Sequence, residues 1–287
     1  MTAVFKHEFK SLSHSLASYV CGAFLLVFIG IGAMIYNIQE AVSNFEYVLG
    51  FGSLAFAVVI PLLTMRVLSE ERKQKTDQLL YSLPISTTQV ILGKYFALLA
   101  VYAIPVAFIL FYPLVFAHFG NVYLPTSYGS IFAFFMVGAA LTALGVFISS
   151  LTENQGLAAG IGVAVVLFNY YSVSLAEYVS ATAVGSAVSI VVICLLLGVL
   201  IKHITGNEVL SYVTGLGLSA ITVIFYFVSP ESFEGLLPAV MTKLSLFARL
   251  NVFINGIFDI KAIVYFVSFI IFFLFISVQS MEKRRYN

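Results

Sequence analysis

The sequence contains no tryptophan, very little charge and only two cysteines. Charged residues make up 9% of the chain and hydrophobic residues 61%, whereas a soluble domain carries about 25% charged residues. No soluble core can hide this much apolar surface, so the excess has to face lipid. The net charge of +1 gives no indication of nucleic-acid binding. Tyrosine has to supply any aromatic belt at the membrane interfaces.

The motifs of several enzyme classes are also missing. Cys21 and Cys194 both lie in apolar runs, which is typical of small buried hydrophobes and not of a disulfide or a metal site. There is no G-x-x-x-x-G-K-[ST] motif, so the chain has no P-loop for ATP. The four histidines are scattered and form no H-E-x-x-H motif. We therefore predict no catalytic residues, no metal ligands and no cofactor bound by this chain itself.

Long uncharged runs dominate the sequence. A helix needs roughly 20 apolar residues to cross the hydrocarbon core, and helices satisfy their backbone hydrogen bonds within the segment. The sequence thus predicts an all-α membrane protein, a polytopic helical bundle with about eight spans, with six as the alternative count. The candidate windows are 17–37, 49–67, 94–117, 129–150, 156–175, 181–201, 209–228 and 262–280.

Basic residues predict the orientation of the spans. The uncharged run from Ser15 to Gln39 is longer than the apolar region of a signal peptide, so we expect it to be a retained first span. With the N-terminus in the cytoplasm and eight spans, eleven of the 14 lysines and arginines lie inside. The positive-inside rule favours this arrangement. We expect a multi-pass protein of the cell membrane with both termini cytoplasmic.

The loop at 68–93 concentrates the charge that the spans lack. Six charged residues occur between Glu70 and Asp77, and leucines then follow at helical spacing up to Pro84. Ser86 or Thr87 can cap a further helix that enters the third span. One interpretation is a solvated connector that carries positive-inside charges. The other is an amphipathic helix that docks on a partner protein.

The residues of this loop carry a resemblance to a known family. The run LLTMRVLSEERKQKTDQLLYSLPISTTQVILGKYFA resembles the signature region of ABC-2 type permeases, the membrane subunits of ATP-driven exporters. The run GAALTALGVFISSLTENQGLAAGIG at 138–162 resembles the small-residue helix pair of that family, and the C-terminal 40 or so residues resemble the ends of gliding-motility-type permeases. A lysine, Lys75, stands where the family often has glycine.

The resemblance implies a single permease domain over 1–287 that forms a translocation pathway. Its partners would be two copies of a separate ABC ATPase subunit, which binds ATP and Mg²⁺, and a second permease, either a copy or a paralogue. The loop would hold the cytoplasmic coupling helix that contacts the ATPase. The residues expected to couple to the ATPase are Glu70, Glu71, Arg72, Lys73, Thr76, Leu79, Leu80, Leu83 and Pro84.

Two other functions compete with the exporter. An ion-coupled secondary transporter usually places ionisable residues inside its spans, and the windows here are essentially free of them. A structural membrane subunit of a motility or secretion assembly remains a third possibility. The transported substrate is not readable from the sequence.

Three further features concern the pathway. The segment 229–261 has apolar residues at helical spacing and predicts an external amphipathic helix or helix pair. Asn169, Tyr170 and Tyr171 form the polar and aromatic group best suited to a substrate pathway, although packing between spans explains them equally well. Gly156 and Gly160 have the spacing of small residues that lets helices approach closely, so the glycines of the fourth and fifth spans predict a tight helical hairpin, with a dimer interface as the alternative.

Overall fold

The structure, a computed structural model, describes residues 1–75, 86–179, 181–205 and 208–286. All regular secondary structure in these ranges is helical, which confirms the predicted fold class. The α-helices are α1 (Thr2–Ser13), α2 (Leu16–Ala33), α3 (Glu46–Gly52), α4 (Phe56–Thr64), α5 (Ser69–Lys73), α6 (Thr87–Ile109), α7 (Phe111–Phe119), α8 (Leu124–Leu151), α9 (Gln155–Tyr178), α10 (Ala183–Thr205), α11 (Glu208–Tyr212), α12 (Leu218–Val228), α13 (Leu236–Leu244), α14 (Leu246–Ile254) and α15 (Ile260–Tyr286).

Short irregular turns join several of these helices into longer rods. Six residues of π-helix, Met34–Gln39, extend α2, and a 3₁₀ turn, Ser53–Ala55, connects α3 to α4. The N-terminus of α6 is capped as its sequence predicts, because the Ser86 hydroxyl accepts a hydrogen bond from the Gln89 amide at 3.3 Å.

Six helical rods among the described residues are long and apolar enough to cross a membrane, or seven if the bent pair Pro230–Leu244 and Leu246–Ile254 counts as one span. The six match the first five predicted windows and the last. The windows 181–201 and 209–228 also fall on helices, whose apolar stretches in the described residues, Ala183–Leu196 and Val213–Val228, are shorter. The six rods are Leu16–Gln39, Glu46–Lys73, Thr87–Phe119, Leu124–Leu151, Gln155–Tyr178 and Ile260–Lys283.

The chain forms two compact units. Unit 1 comprises 1–170 and 249–287, and unit 2 comprises 171–248. The division into two compact units does not decide whether 1–287 works as one permease domain, so that expectation stays a prediction. Helices also form within 229–261, as predicted, with α13 and α14 separated at Ser245.

Helix α8 is the centre of unit 1. In its most apolar 18-residue stretch, 78% of the residues are buried inside the protein, the highest share of the six rods. Two glycines allow neighbours to approach it closely. A β-carbon at Gly138 would lie 2.6 Å from Cε1 of Tyr102 in α6, and one at Gly145 would lie 2.8 Å from Cβ of Thr64 in α4.

The glycines therefore do not build the tight hairpin that their sequence spacing predicted. Gly138 and Gly145 pack against α6 and α4, and a β-carbon at Gly162 in α9 would lie 3.0 Å from Pro61 of α4. For a β-carbon at Gly160, no heavy atom of the described residues lies within 4 Å. The spacing of small residues indicates where helices can approach, but not which helix does so.

Hydrogen bonds of unit 1 define two ends of the bundle. At one end, the charged end, Glu8 of α1 meets Lys94, and Thr87 donates to Glu282 near the C-terminus of α15 at 2.7 Å. Glu8 and Glu282, which belong to the first and last helices of the chain, thus lie at the same end of unit 1. At the other end, which we call the opposite end, the Ser130 hydroxyl of α8 donates to the carbonyl oxygen of Phe253 at 2.9 Å.

Unit 2 contains a close helix pair of its own. A β-carbon at Gly198 of α10 would lie 2.8 Å from Cα of Gly215, which belongs to the π-helical turn Val213–Gly217 before α12. The buried Ser211 hydroxyl donates to the carbonyl oxygen of Gly198 at 2.7 Å. The two backbones are in contact here, so Gly198 has no room for a side chain, and a β-carbon at Gly215 would lie 3.3 Å from Cα of Gly198.

Candidate functional site

The charged segment predicted for coupling begins directly after α4. Its first part is the five-residue helix α5, and Lys75, two residues after the end of α5, has a left-handed conformation at φ 57°. The predicted coupling residues Thr76, Leu79, Leu80, Leu83 and Pro84 lie outside the described residues, and their role stays a prediction.

A buried lysine is the centre of the charged end. Only 2% of the Lys94 side chain is exposed, and its ammonium nitrogen lies 2.7 Å from Oε1 of both Glu8 and Glu71. The same nitrogen donates to the carbonyl oxygen of Val67 at 3.2 Å. An ammonium group has three N–H donors, so these acceptors match them one to one. The two carboxylates provide the charge that makes burial of this cation tolerable.

Through Lys94, the N-terminal helix α1 is fastened to the charged segment. Glu8 belongs to α1, Glu71 to α5 and Lys94 to α6. Gly93 allows α1 to come this close, because a β-carbon at Gly93 would lie 3.0 Å from Cβ of Val4. One ionic group therefore connects α5 to both α1 and α6.

Two serines at the end of α8 hold the other side of α5. The Ser149 hydroxyl accepts hydrogen bonds from the amides of Leu68 and Ser69 at 3.1 and 3.2 Å. It thus satisfies N–H groups at the start of α5 that have no partner inside the helix. The buried Arg72 guanidinium donates to the carbonyl oxygen of Ser150. The hydroxyl of Ser280 in α15 also donates to that oxygen, at 3.3 Å.

We call this group the charged-end cluster, and it joins α1, α5, α6, α8 and α15. Its members are Glu8, Glu71, Arg72, Thr87, Lys94, Ser149, Ser150, Ser280 and Glu282. A segment fixed at so many points can pass a displacement into several spans at once, which is what coupling requires.

The structure separates the four described coupling residues into two groups. Glu71 and Arg72 point into the bundle, where they meet Lys94 and Ser150. Lys73 is exposed and Glu70 is half-buried. Of the charges expected on a docking surface, Glu71 and Arg72 thus make contacts inside unit 1, whereas Lys73 is open to solvent.

Sequence reasoning missed Glu8, Lys94, Ser149 and Ser150. Glu8 carried a usable signal, since it falls on the same side of α1 as the apolar Val4 and Leu12 at helical spacing. A charge on an apolar side predicts a buried partner. Lys94 gave a weaker signal as a single cation at the edge of an apolar window.

The predicted pathway residues lie on α9. Asn169 and Tyr170 are half-buried in unit 1, and Tyr171, at the start of unit 2, is 47% exposed. Their position within a candidate span agrees with a pathway and with packing alike, so the pathway role stays a prediction.

The opposite end of unit 1 contains a second buried charge. Glu46, the first residue of α3, is 3% exposed, and its Oε1 accepts hydrogen bonds from Thr126 at 2.7 Å and Ser127 at 2.8 Å. Both donors belong to the first turn of α8, whose amide groups favour a negative charge. Nearby, the Arg249 guanidinium lies 5.1 Å from the ring centroid of Tyr265.

A helical bundle with these spans defines the class of a polytopic membrane protein. The family described as ABC-2 family transporter protein matches residues 28–228, which is more than half of the chain. The chain belongs to this family and is a membrane permease component of an ABC-type transporter. The family in general works with an ABC ATPase subunit. No curated protein and no solved structure matches the chain.

Proposed function

We propose that this chain is the permease subunit of an ATP-driven exporter and that α5 with the following loop couples it to separate ATPase subunits. The observation that carries this proposal is the charged-end cluster. Glu71 and Arg72 tie the start of the loop to α1, α6 and α8. ATP binding and hydrolysis would occur in the partner, since this sequence has no P-loop.

The complete transporter would contain two ATPase subunits and a second permease, with the charged end facing the cytoplasm of the cell. The clustering of basic residues at that end supports this orientation. An amphipathic or hydrophobic cargo suits spans that carry so little charge.

The docking surface is tested by substitutions that leave the charged-end cluster intact. Leu80→Asp places a charge among the predicted leucine anchors, and loss of a buried anchor costs about 2 kcal/mol or more. This corresponds to a roughly thirty-fold loss of affinity for the ATPase. We expect Lys73→Glu, at an exposed position of α5, to weaken binding less, because charges at the rim contribute less than buried anchors. The measurement is the yield of ATPase that co-purifies with the tagged chain.

The matched control is Lys261→Glu, which makes the same charge reversal at an exposed position near the start of α15. It should leave the yield unchanged. Equal ATPase yields for Leu80→Asp, Lys73→Glu and Lys261→Glu would show that the loop is only a solvated connector.

Orientation is tested by cysteine labelling in intact cells. In a Cys21→Ala/Cys194→Ala background, we expect Lys75→Cys and Lys283→Cys to resist an impermeant thiol reagent and Lys243→Cys to react. All three lysines are exposed in the structure, so accessibility depends on the side of the membrane. Reaction of Lys75→Cys together with Lys243→Cys would contradict the proposed topology.

A further inference from the structure

Helix α1 presents a basic side away from the bundle. Lys6 and Lys10 lie one turn apart, are exposed, and form no ion pair with the described residues. The other side carries Val4 and Glu8, which contact Gly93 and Lys94 of α6. The ion pair to Lys94 therefore fixes the direction in which the two free lysines point.

Between the basic side and the side that contacts α6, the helix is aromatic. The rings of Phe5 and Phe9 stack with their centroids 5.8 Å apart and their planes 7° apart, and neither ring is buried. In the described structure, α1 has no fully buried residue at all. A helix with a basic strip beside an aromatic strip that the protein covers only in part is typical of one that lies in a membrane interface.

An apolar groove of about 530 Å³ opens beside Phe5. It lies between α1, α6 and α8 and is lined by Met1, Phe5, Phe96, Leu99, Ala100 and Phe135 among others. Phe96 is nine residues into α6, so the groove begins about 14 Å from the start of that helix. This part of α6 belongs to a candidate span, and the groove therefore opens where hydrocarbon chains lie.

We propose that α1 and this groove form a binding site for one anionic phospholipid. An acyl chain occupies the apolar groove, and Lys6 and Lys10 extend their amines to the phosphate at the level of the headgroups. The cytoplasmic leaflet is the one that is rich in anionic lipid. A second copy of the chain fits this surface poorly, because it would bring two basic strips together.

The absence of tryptophan provides a direct test. We would reconstitute the full chain with Phe5→Trp as its one tryptophan in bilayers, and measure quenching by phosphatidylglycerol or phosphatidylcholine with brominated acyl chains. If each lysine attracts the headgroup as basic residues do at an anionic surface, the relative affinity should favour phosphatidylglycerol roughly thirty-fold at low salt. The preference should shrink at high salt.

Three matched variants separate the parts of the site. Lys6→Gln/Lys10→Gln should abolish the preference for phosphatidylglycerol, and Ala100→Phe should reduce it by filling the groove. Phe272→Trp, which reports from an exposed position on α15, should show no preference between the two lipids. Phe96→Trp is a second reporter for the same groove if Phe5→Trp does not fold.

Equal quenching of the Phe5→Trp variant by both lipids would overturn the proposal. A preference for phosphatidylglycerol that survives Ala100→Phe unchanged would overturn it as well. Protection of the reporter from both brominated lipids would show that protein, not lipid, covers the groove. Since the purified chain alone is measured, none of these outcomes depends on coupling to an ATPase.

Discussion

Lys94→Met is expected to destabilise the protein strongly. The substitution keeps the length of the side chain but leaves Glu8 and Glu71 facing each other without the cation between them. Their side chains are 18% and 24% exposed, so water can compensate only in part. Removing one partner of a buried ionic group typically costs about 3 to 5 kcal/mol. The readout is the temperature at which the detergent-purified protein loses its monodisperse elution peak.

The loss of stability in Lys94→Met should come from the two carboxylates that no longer have a cation beside them. Neutralising both carboxylates should therefore restore stability. We expect the triple variant Glu8→Gln/Glu71→Gln/Lys94→Met to regain most of the lost stability, since a neutral network carries no unpaired charge. Lys202→Met is the matched control, because Lys202 pairs with Glu208 at 2.8 Å but both side chains are more than half exposed. If Lys94→Met is no more harmful than Lys202→Met, the charged-end cluster does not hold α1 and α5 in place.

Gly145→Leu is expected to prevent α8 from packing against α4. Even the first added carbon would lie 2.8 Å from Cβ of Thr64, and Thr64 is 2% exposed and cannot move aside. Overpacking a core typically costs about 1 to 3 kcal/mol and can cost more. Gly145→Ala should also destabilise the protein, although replacing glycine by alanine inside a helix normally gains about 0.5 to 1 kcal/mol. Thermal stability of the purified variants measures both changes.

The comparison position is Gly160 in α9, where a β-carbon would meet no heavy atom of the described residues within 4 Å. Gly160→Ala should be neutral or mildly stabilising, and Gly160→Leu should be tolerated. The opposite signs expected for Gly145→Ala and Gly160→Ala separate packing from helix propensity. A stabilised Gly145→Ala variant would contradict the close contact between α8 and α4.

The helices of this protein were predictable because their signal is local. Each predicted window overlaps helical structure, and six of the eight fall on rods long and apolar enough to cross a membrane, because length and hydropathy are properties of a single segment. The cap at Ser86 was also local, as it involves residues three apart. The π-helical turn Met34–Gln39 gave no such signal, and its apolar sequence fits an ordinary α-helix equally well.

The charged-end cluster was not predictable, because it depends on contacts between distant parts of the chain. Lys94 is separated from Glu8 by 86 positions, and Arg72 from Ser150 by 78. Within its own segment, Glu71 has the appearance of a surface charge beside Glu70. Only the fold shows that one of these neighbours points inward.

Glu46 and the serines at the end of α8 have a joint mechanical consequence. The rod Glu46–Lys73 is fastened to α8 by Thr126 and Ser127 at the opposite end of unit 1, and by Ser149 and Ser150 at the charged end. These attachments are about 33 Å apart along α8, and slippage by one turn would break both. The two helices thus behave as a single strut of fixed length. A joint tilt would keep all of these hydrogen bonds, so we expect the two helices to move together during a transport cycle.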